Sequence, residues 1–160
     1  MSVRVQEADF DVSVEIAALT QGDNSIGAVA TFIGKVRDTA HGASLSAMTL
    51  EHYPGMTESE LARIEAEAAQ RFSLIASLVV HRVGELVPGD NIVLVIACAP
   101  HRGDAFAACE FLMDYLKTRA PFWKKETGAN GVGHWVDARE SDEESAQRWS
   151  KGASYTASNT

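Results

Sequence analysis

Apolar positions along the chain fall into two kinds of pattern. Ala28–Ile33 (AVATFI), Leu74–Val83 and Asn91–Ala97 are near-continuous apolar runs rich in β-branched residues, and they predict buried strands. Ala47–Tyr53 alternates and predicts a further strand, and Val3–Gln6 and His134–Ala138 predict shorter ones. Helical spacing takes over elsewhere. Leu61, Ile64, Ala68 and Phe72 form one stripe of a helix that starts at Thr57, with Glu60 as its capping-box acid. Phe106, Cys109, Met113 and Leu116 form the face of another, expected over Gly103–Arg119 and ended by Pro121. Val14–Leu19 and Ser141–Trp149 predict brief helices. Between these lie polar or glycine-bearing segments. Gly34–Ser44 is expected to be a mobile loop, and Pro54-Gly55 and the GELVPGD stretch are expected to be turns.

Strands and helices mix without strict βαβ alternation, so the expected class is α+β. No repeat or linker divides the chain. Residues 1–149 are expected to form one domain, with 150–160 as a small, polar, disordered tail.

Composition narrows the function. The chain has 160 residues, 46% of them hydrophobic, which supports a real core. Lys and Arg number 14 against 22 Asp and Glu, a formal charge of −8, which argues against general nucleic-acid binding. No apolar run approaches the roughly 20 residues that span a bilayer, and the expectation is a soluble cytoplasmic protein. Cys98 and Cys109 match no zinc or redox spacing and read as buried thiols. No metal or protein-borne cofactor is expected.

Against that acidic background, KTRAPFWKKE (Lys117–Glu126) gathers four cations and one acid. Lys117 lies on the last turn of the expected helix, and Lys124 and Lys125 follow the proline break. The change of direction at Pro121 lets Lys117 and Lys124 converge, with Phe122 and Trp123 as walls. Crowded cations in a partly dry site lower a lysine's pKa and allow it to act as a base or nucleophile. The plainer reading is solvated lysines at a helix C-terminus, where the dipole favours them. His101-Arg102 sits at the opposite end of that helix, where unpaired amides favour anions. Arg37 follows a strand end and a glycine, placed to reach a cleft, and Arg139 closes HWVDA in the same way. A solvated surface role is open for each. No GxxxxGK[ST], GxGxxG or GxSxG motif is present.

Six stretches together resemble the large, catalytic subunit of molybdopterin synthase: TFIGKVRD (Thr31–Asp38), LEHYPGMT (Leu50–Thr57), HRVGELVPGD (His81–Asp90), PHR (Pro100–Arg102), MDYLKTRAPFWKKE (Met113–Glu126) and WVDARESD (Trp135–Asp142). The resemblance implies an α/β-hammerhead-type fold with an added antiparallel β subdomain. It implies a sulfurtransferase that takes sulfur from the C-terminal thiocarboxylate of a small ubiquitin-like partner and places it on cyclic pyranopterin monophosphate. Both reactants are anionic, which gives the basic cluster a purpose. Lys117 and Lys124 are then the catalytic candidates. Phe32, Lys35, Arg37, His101, Arg102, Lys125, Glu126 and Arg139 are the substrate-binding candidates, with Arg139 possible from across a subunit interface. The implied assembly is a homodimer within a heterotetramer. The competing reading is a non-catalytic module binding a phosphorylated pterin or an acidic peptide tail. Phosphoryl chemistry ranks last, because Asp104 and Asp114 lie too far apart along one helix to share an ion.

Overall fold

The computed structural model describes residues 1–40, 42–136 and 140–150, without the side chains of 140 and 141. Arg139, the C-terminal end of the last predicted strand and residues 151–160 of the expected tail lie outside the described residues. The element order is β1 (Ser2–Gln6), α1 (Val12–Thr20), β2 (Ala28–Lys35), β3 (Thr39–Ala40), β4 (Ala43–His52), α2 (Met56–Arg71), β5 (Ala76–Arg82), β6 (Gly84–Leu86), β7 (Asn91–Ala99), α3 (Arg102–Thr118), β8 (Phe122–Gly128), β9 (Gly133–Val136) and α4 (Glu140–Gln147). This is the expected α+β layout, with a second antiparallel sheet beside the first. No helix among the described residues is long and apolar enough to cross a membrane.

The first sheet has the order β1-β5-β7-β2, with β1 parallel to β5 and the other pairs antiparallel. Its central strands explain why β5 and β7 read as continuous apolar runs. Val79, Val93, Val95 and Ala97 turn one way, into a core with Leu61, Ile64 and Ala68 of α2 and Phe111, Leu112 and Tyr115 of α3. Leu78, Val80, Leu94, Ile96 and Cys98 turn the other way, toward Phe10 and, from α1, Ile16 and Leu19. A strand covered on both faces has no polar side to show.

The same pattern misleads at β2. The strand is present, but only Ala30 is buried, and Val29, Phe32 and Ile33 are each 40% exposed. The cause is topology: β2 is an edge strand paired only with β7. On α3 the stripe is right in part. Cys109 and Leu116 are buried as expected, but Phe106 is 65% exposed, and Ala105, Ala108, Phe111, Leu112 and Tyr115 carry the rest of the buried face.

The second sheet is built on β4, which pairs with β8 along one edge and with β3 and β6 along the other; β9 extends it beyond β8. Two segments expected to be loop or turn therefore carry strands. Part of Gly34–Ser44 forms the β3–β4 hairpin, and the start of GELVPGD forms β6. The Pro88-Gly89-Asp90 turn itself is present: Gly89 has φ 94°, and the Val87 amide donates to the Asp90 carboxylate at 2.9 Å. A small core of Val36, Leu45, Met48, Leu50 and Leu86 lies under this sheet.

The start of α2 also differs from expectation. Gly55 caps it with φ 83°, and its amide donates to Glu58 Oε2 at 2.7 Å, so Glu58 is the capping acid. Glu60 instead binds Arg63 on the helix surface. Thr57 is buried inside the first turn, its hydroxyl donating to Tyr53 O at 2.9 Å.

Candidate active site

The cationic segment is organised by the end of α3. The Arg119 amide donates to Tyr115 O at 2.8 Å and the Phe122 amide to Ala120 O at 2.8 Å, so the chain leaves the helix and enters β8 within three residues. Along a strand, side chains alternate between faces. Phe122, Lys124 and Glu126 therefore share one face of β8 and line a cavity of about 450 Å³, together with Lys117 from the last turn of α3. Trp123 and Lys125 take the other face. Trp123 meets Tyr53 edge-on at 4.6 Å, so it does not wall the cavity as expected. The Lys125 stem lies over Gly133, where an added Cβ would come within 2.5 Å of Lys125 Cε.

The opposite rim comes from the end of β2. A register irregularity falls between Gly34 and Lys35. Beyond it the chain is pinned to the following turn: the Val36 amide donates to Asp90 O at 2.9 Å, and the Gly89 amide donates to Val36 O at 2.8 Å. Val36 is buried, and Lys35 Nζ donates to Asn91 Oδ1 at 2.9 Å. Phe32, Lys35 and Arg37 thereby join the cavity lining. A Cβ at Gly34 would sit 2.8 Å from Val93 Cγ1, so a larger residue there must displace that side chain.

Four cations, Lys35, Arg37, Lys117 and Lys124, thus meet around one cavity on a chain of net charge −8. Two acids among the described residues line it as well, Glu126 and Asp142. Glu126 is buried and lies 3.5 Å from Lys124 Nζ, which offsets part of that lysine's charge. Lys35, Arg37 and Lys117 are exposed. In the single chain the cavity is an open cationic groove, where the sequence suggested a drier cradle. Such a groove can hold an anion and present several N–H donors to a second one.

His101, Arg102 and Lys125 do not line the cavity. His101 caps the N-terminus of α3, and the axis rises roughly 24 Å from there to Lys117. The loop ahead of His101 is set by a close approach. The Gly27 amide donates to Ala99 O at 3.1 Å, and a Cβ on Gly27 would lie 2.1 Å from Pro100 O. Gly27→Ala must therefore move backbone against backbone. It is expected to cost on the order of 1–3 kcal/mol and to displace His101. Thermal unfolding, with a crystal structure of the variant, checks both effects.

A family model described as MoaE protein matches residues 5–119. The chain belongs to the MoaE family. A Ralstonia nicotianae protein named "Molybdopterin synthase catalytic subunit" is 62% identical over 148 residues, covering 92% of this chain and 84% of that protein. A solved structure titled as the molybdopterin biosynthesis MoaE protein of Burkholderia ambifaria is similar at 54% identity and TM-score 0.80, covering 93% and 97% of the two chains. At 18% identity and TM-score 0.67, a Helicobacter pylori structure shares the fold, covering 86% of this chain and 90% of its own; it is titled as a complex of subunits 1 and 2 of molybdopterin-converting factor.

One lining residue of this MoaE-family chain was not singled out from the sequence. His81, at the end of β5, faces the cavity and stacks on Phe122 with centroids 3.8 Å apart. Its Nδ1 is 2.8 Å from Arg82 O. A carbonyl oxygen only accepts, so Nδ1 carries the hydrogen and Nε2 keeps its lone pair. Burial pushes the imidazole down to about 4, and His52 acts in the same direction. The available signal was position alone: His81 opens HRVGELVPGD, but one histidine in an apolar run reads as core.

Proposed function

We propose that this chain transfers sulfur from the C-terminal thiocarboxylate of a small carrier protein to cyclic pyranopterin monophosphate, building the dithiolene of molybdopterin. The observation that carries the reading is the convergence of Lys35, Arg37, Lys117 and Lys124 on one cavity with Phe32 and Phe122. The arrangement suits an apolar-edged heterocycle bearing a phosphate, beside an anionic tail. Lys117 and Lys124 orient the thiocarboxylate carbonyl and stabilise the charge that develops as sulfur attacks. Arg37 and Lys35 hold the phosphate side. No metal or protein-bound cofactor is needed, because the sulfur arrives on the carrier.

The working unit in this reading is a homodimer with one carrier at each end. The exposed edge strand β2, whose Val29 stands opposite Cys98, is suited to pairing with a second copy. That edge lies at the end of β7 that leads into His101 and Arg102. Across a two-fold axis these two residues, at the opposite end of α3 from Lys117, serve the neighbour's cavity. Arg139 is retained as a pocket candidate on the resemblance alone, and Lys125 contributes through charge from the outer face. The cytoplasm is the proposed location.

Reconstitution tests the reading. Purified chain, thiocarboxylated carrier and cyclic pterin should yield molybdopterin, while carrier ending in an ordinary carboxylate should yield none. Tight pterin binding without product under the complete conditions would favour the binding-module alternative.

A further inference from the structure

Sulfur transfer from a thiocarboxylate has a second half that lysines and arginine serve poorly. When the sulfur displaces an oxygen substituent from a pterin carbon, the C–S bond forms as the C–O bond breaks and the oxygen leaves as phosphate oxygen or water. The sulfur is still bonded to the carrier's glycine carbonyl carbon, so the first product is a thioester joining carrier and pterin. Sulfur stays on the pterin only if water adds to that carbonyl and the acyl C–S bond breaks. The bond's electron pair then goes to sulfur, leaving a thiolate on the pterin, and the carrier departs with a carboxylate. One water proton must be taken up as the oxygen attacks. The other leaves when the new carboxylic acid ionises. No oxidant or reductant is involved.

The cavity needs a proton acceptor for that water. Arg37 offers only N–H donors. Lys35 already donates to Asn91, and Lys117 and Lys124 are assigned to the carbonyl oxygen. Glu126 is buried against Lys124. Asp142 lines the cavity from α4, and it is the competing acceptor.

We propose that His81 Nε2 accepts the proton from the water that cleaves the carrier–pterin thioester, a role that rests on the sulfurtransferase reading above. Three observations meet there. His81 lines the same cavity as Lys117 and Phe122. Its tautomer is fixed by the Nδ1 hydrogen bond to Arg82 O, which leaves the Nε2 lone pair, and no described residue is hydrogen-bonded to that nitrogen. Its ring is held by the stack on Phe122, with planes 18° apart, and by the β5–β7 ladder that places His81 opposite Val93. Desolvation of the half-buried ring disfavours the imidazolium, so the neutral form persists beside so many cations.

The test is single-turnover chemistry followed by intact-mass spectrometry. Two variants remove Nε2 while keeping different parts of the packing: His81→Phe keeps the stack on Phe122, and His81→Asn keeps a donor for Arg82 O. With thiocarboxylated carrier and cyclic pterin, each folded variant should form a covalent carrier–pterin adduct at close to the wild-type rate. The adduct should accumulate and decay on the order of 10²–10⁴-fold more slowly than in wild type. Hydroxylamine should release it as the carrier hydroxamate. Asp142→Asn should show no such accumulation. The proposal is overturned if both His81 variants release carrier at the wild-type rate, if adduct formation and decay slow equally, or if Asp142→Asn alone traps the adduct. Failure of wild-type protein to make product points instead to failure of the sulfurtransferase reading itself.

Discussion

Alanine at Lys117 is expected to lower molybdopterin formation on the order of 10²–10³-fold, the range for removing one donor aimed at developing charge. The loss should fall on kcat, because the lysine is assigned to charge that grows as sulfur attacks. Carrier affinity should change little, since Lys35, Arg37 and Lys124 keep the cavity cationic. Stability should also hold, because Lys117 is exposed on the last turn of α3 and no described ion pair depends on it. Steady-state kinetics with calorimetric titration of the carrier separates these effects. Lys117→Arg keeps the charge but not the compact ammonium. It should keep carrier binding unchanged and recover turnover only in part. Turnover near wild type in the alanine variant would remove Lys117 from the chemistry.

The second large effect concerns two chains at once. Arg102→Ala should be nearly inactive although Arg102 stands at the far end of α3 from its own cavity. Mixing Lys117→Ala and Arg102→Ala chains after dissociation and reassociation should restore activity. A mixed dimer has one site carrying both defects and one carrying neither. Random reassociation makes half the dimers mixed, so the recovered rate should be about a quarter of wild type. Neither parent alone can give this. If no activity returns in dimers shown to be mixed, Arg102 does not serve the partner's site.

The central strands were legible because β5 and β7 are covered on both faces, and a continuous apolar run has no other good home in a mixed fold. The identical signature at β2 hides a different circumstance. Val29 lies on a sheet edge with no strand beyond it, Phe32 and Ile33 line the cavity, and hydropathy does not tell an open edge or a cavity wall from a core. β8 was hidden for a different reason. Phe122, Lys124 and Glu126 alternate with Trp123 and Lys125, so each face mixes aromatic with charge and no apolar period emerges. Its pairing with β4 settles the matter and sorts Lys124 into the cavity and Lys125 out of it. The capping acid of α2 slipped from Glu60 to Glu58 because Gly55, with φ 83°, starts the helix ahead of Thr57. The lysine pair of the site was readable because the break at Pro121 folds helix end and strand together. His101 and Arg102 were grouped with the same pocket, although helical rise along α3 already separates them from Lys117.

The most direct measurement follows the sulfur atom. Carrier thiocarboxylate made with ³⁴S is mixed with this chain and cyclic pterin, and the pterin product is weighed by mass spectrometry. Two heavy sulfurs per pterin are predicted with wild-type protein, matched by two carriers converted to the carboxylate, with formation strongly slowed in Lys117→Ala. A dithiolene carrying no heavy sulfur, or one formed equally fast without Lys117, would contradict the account.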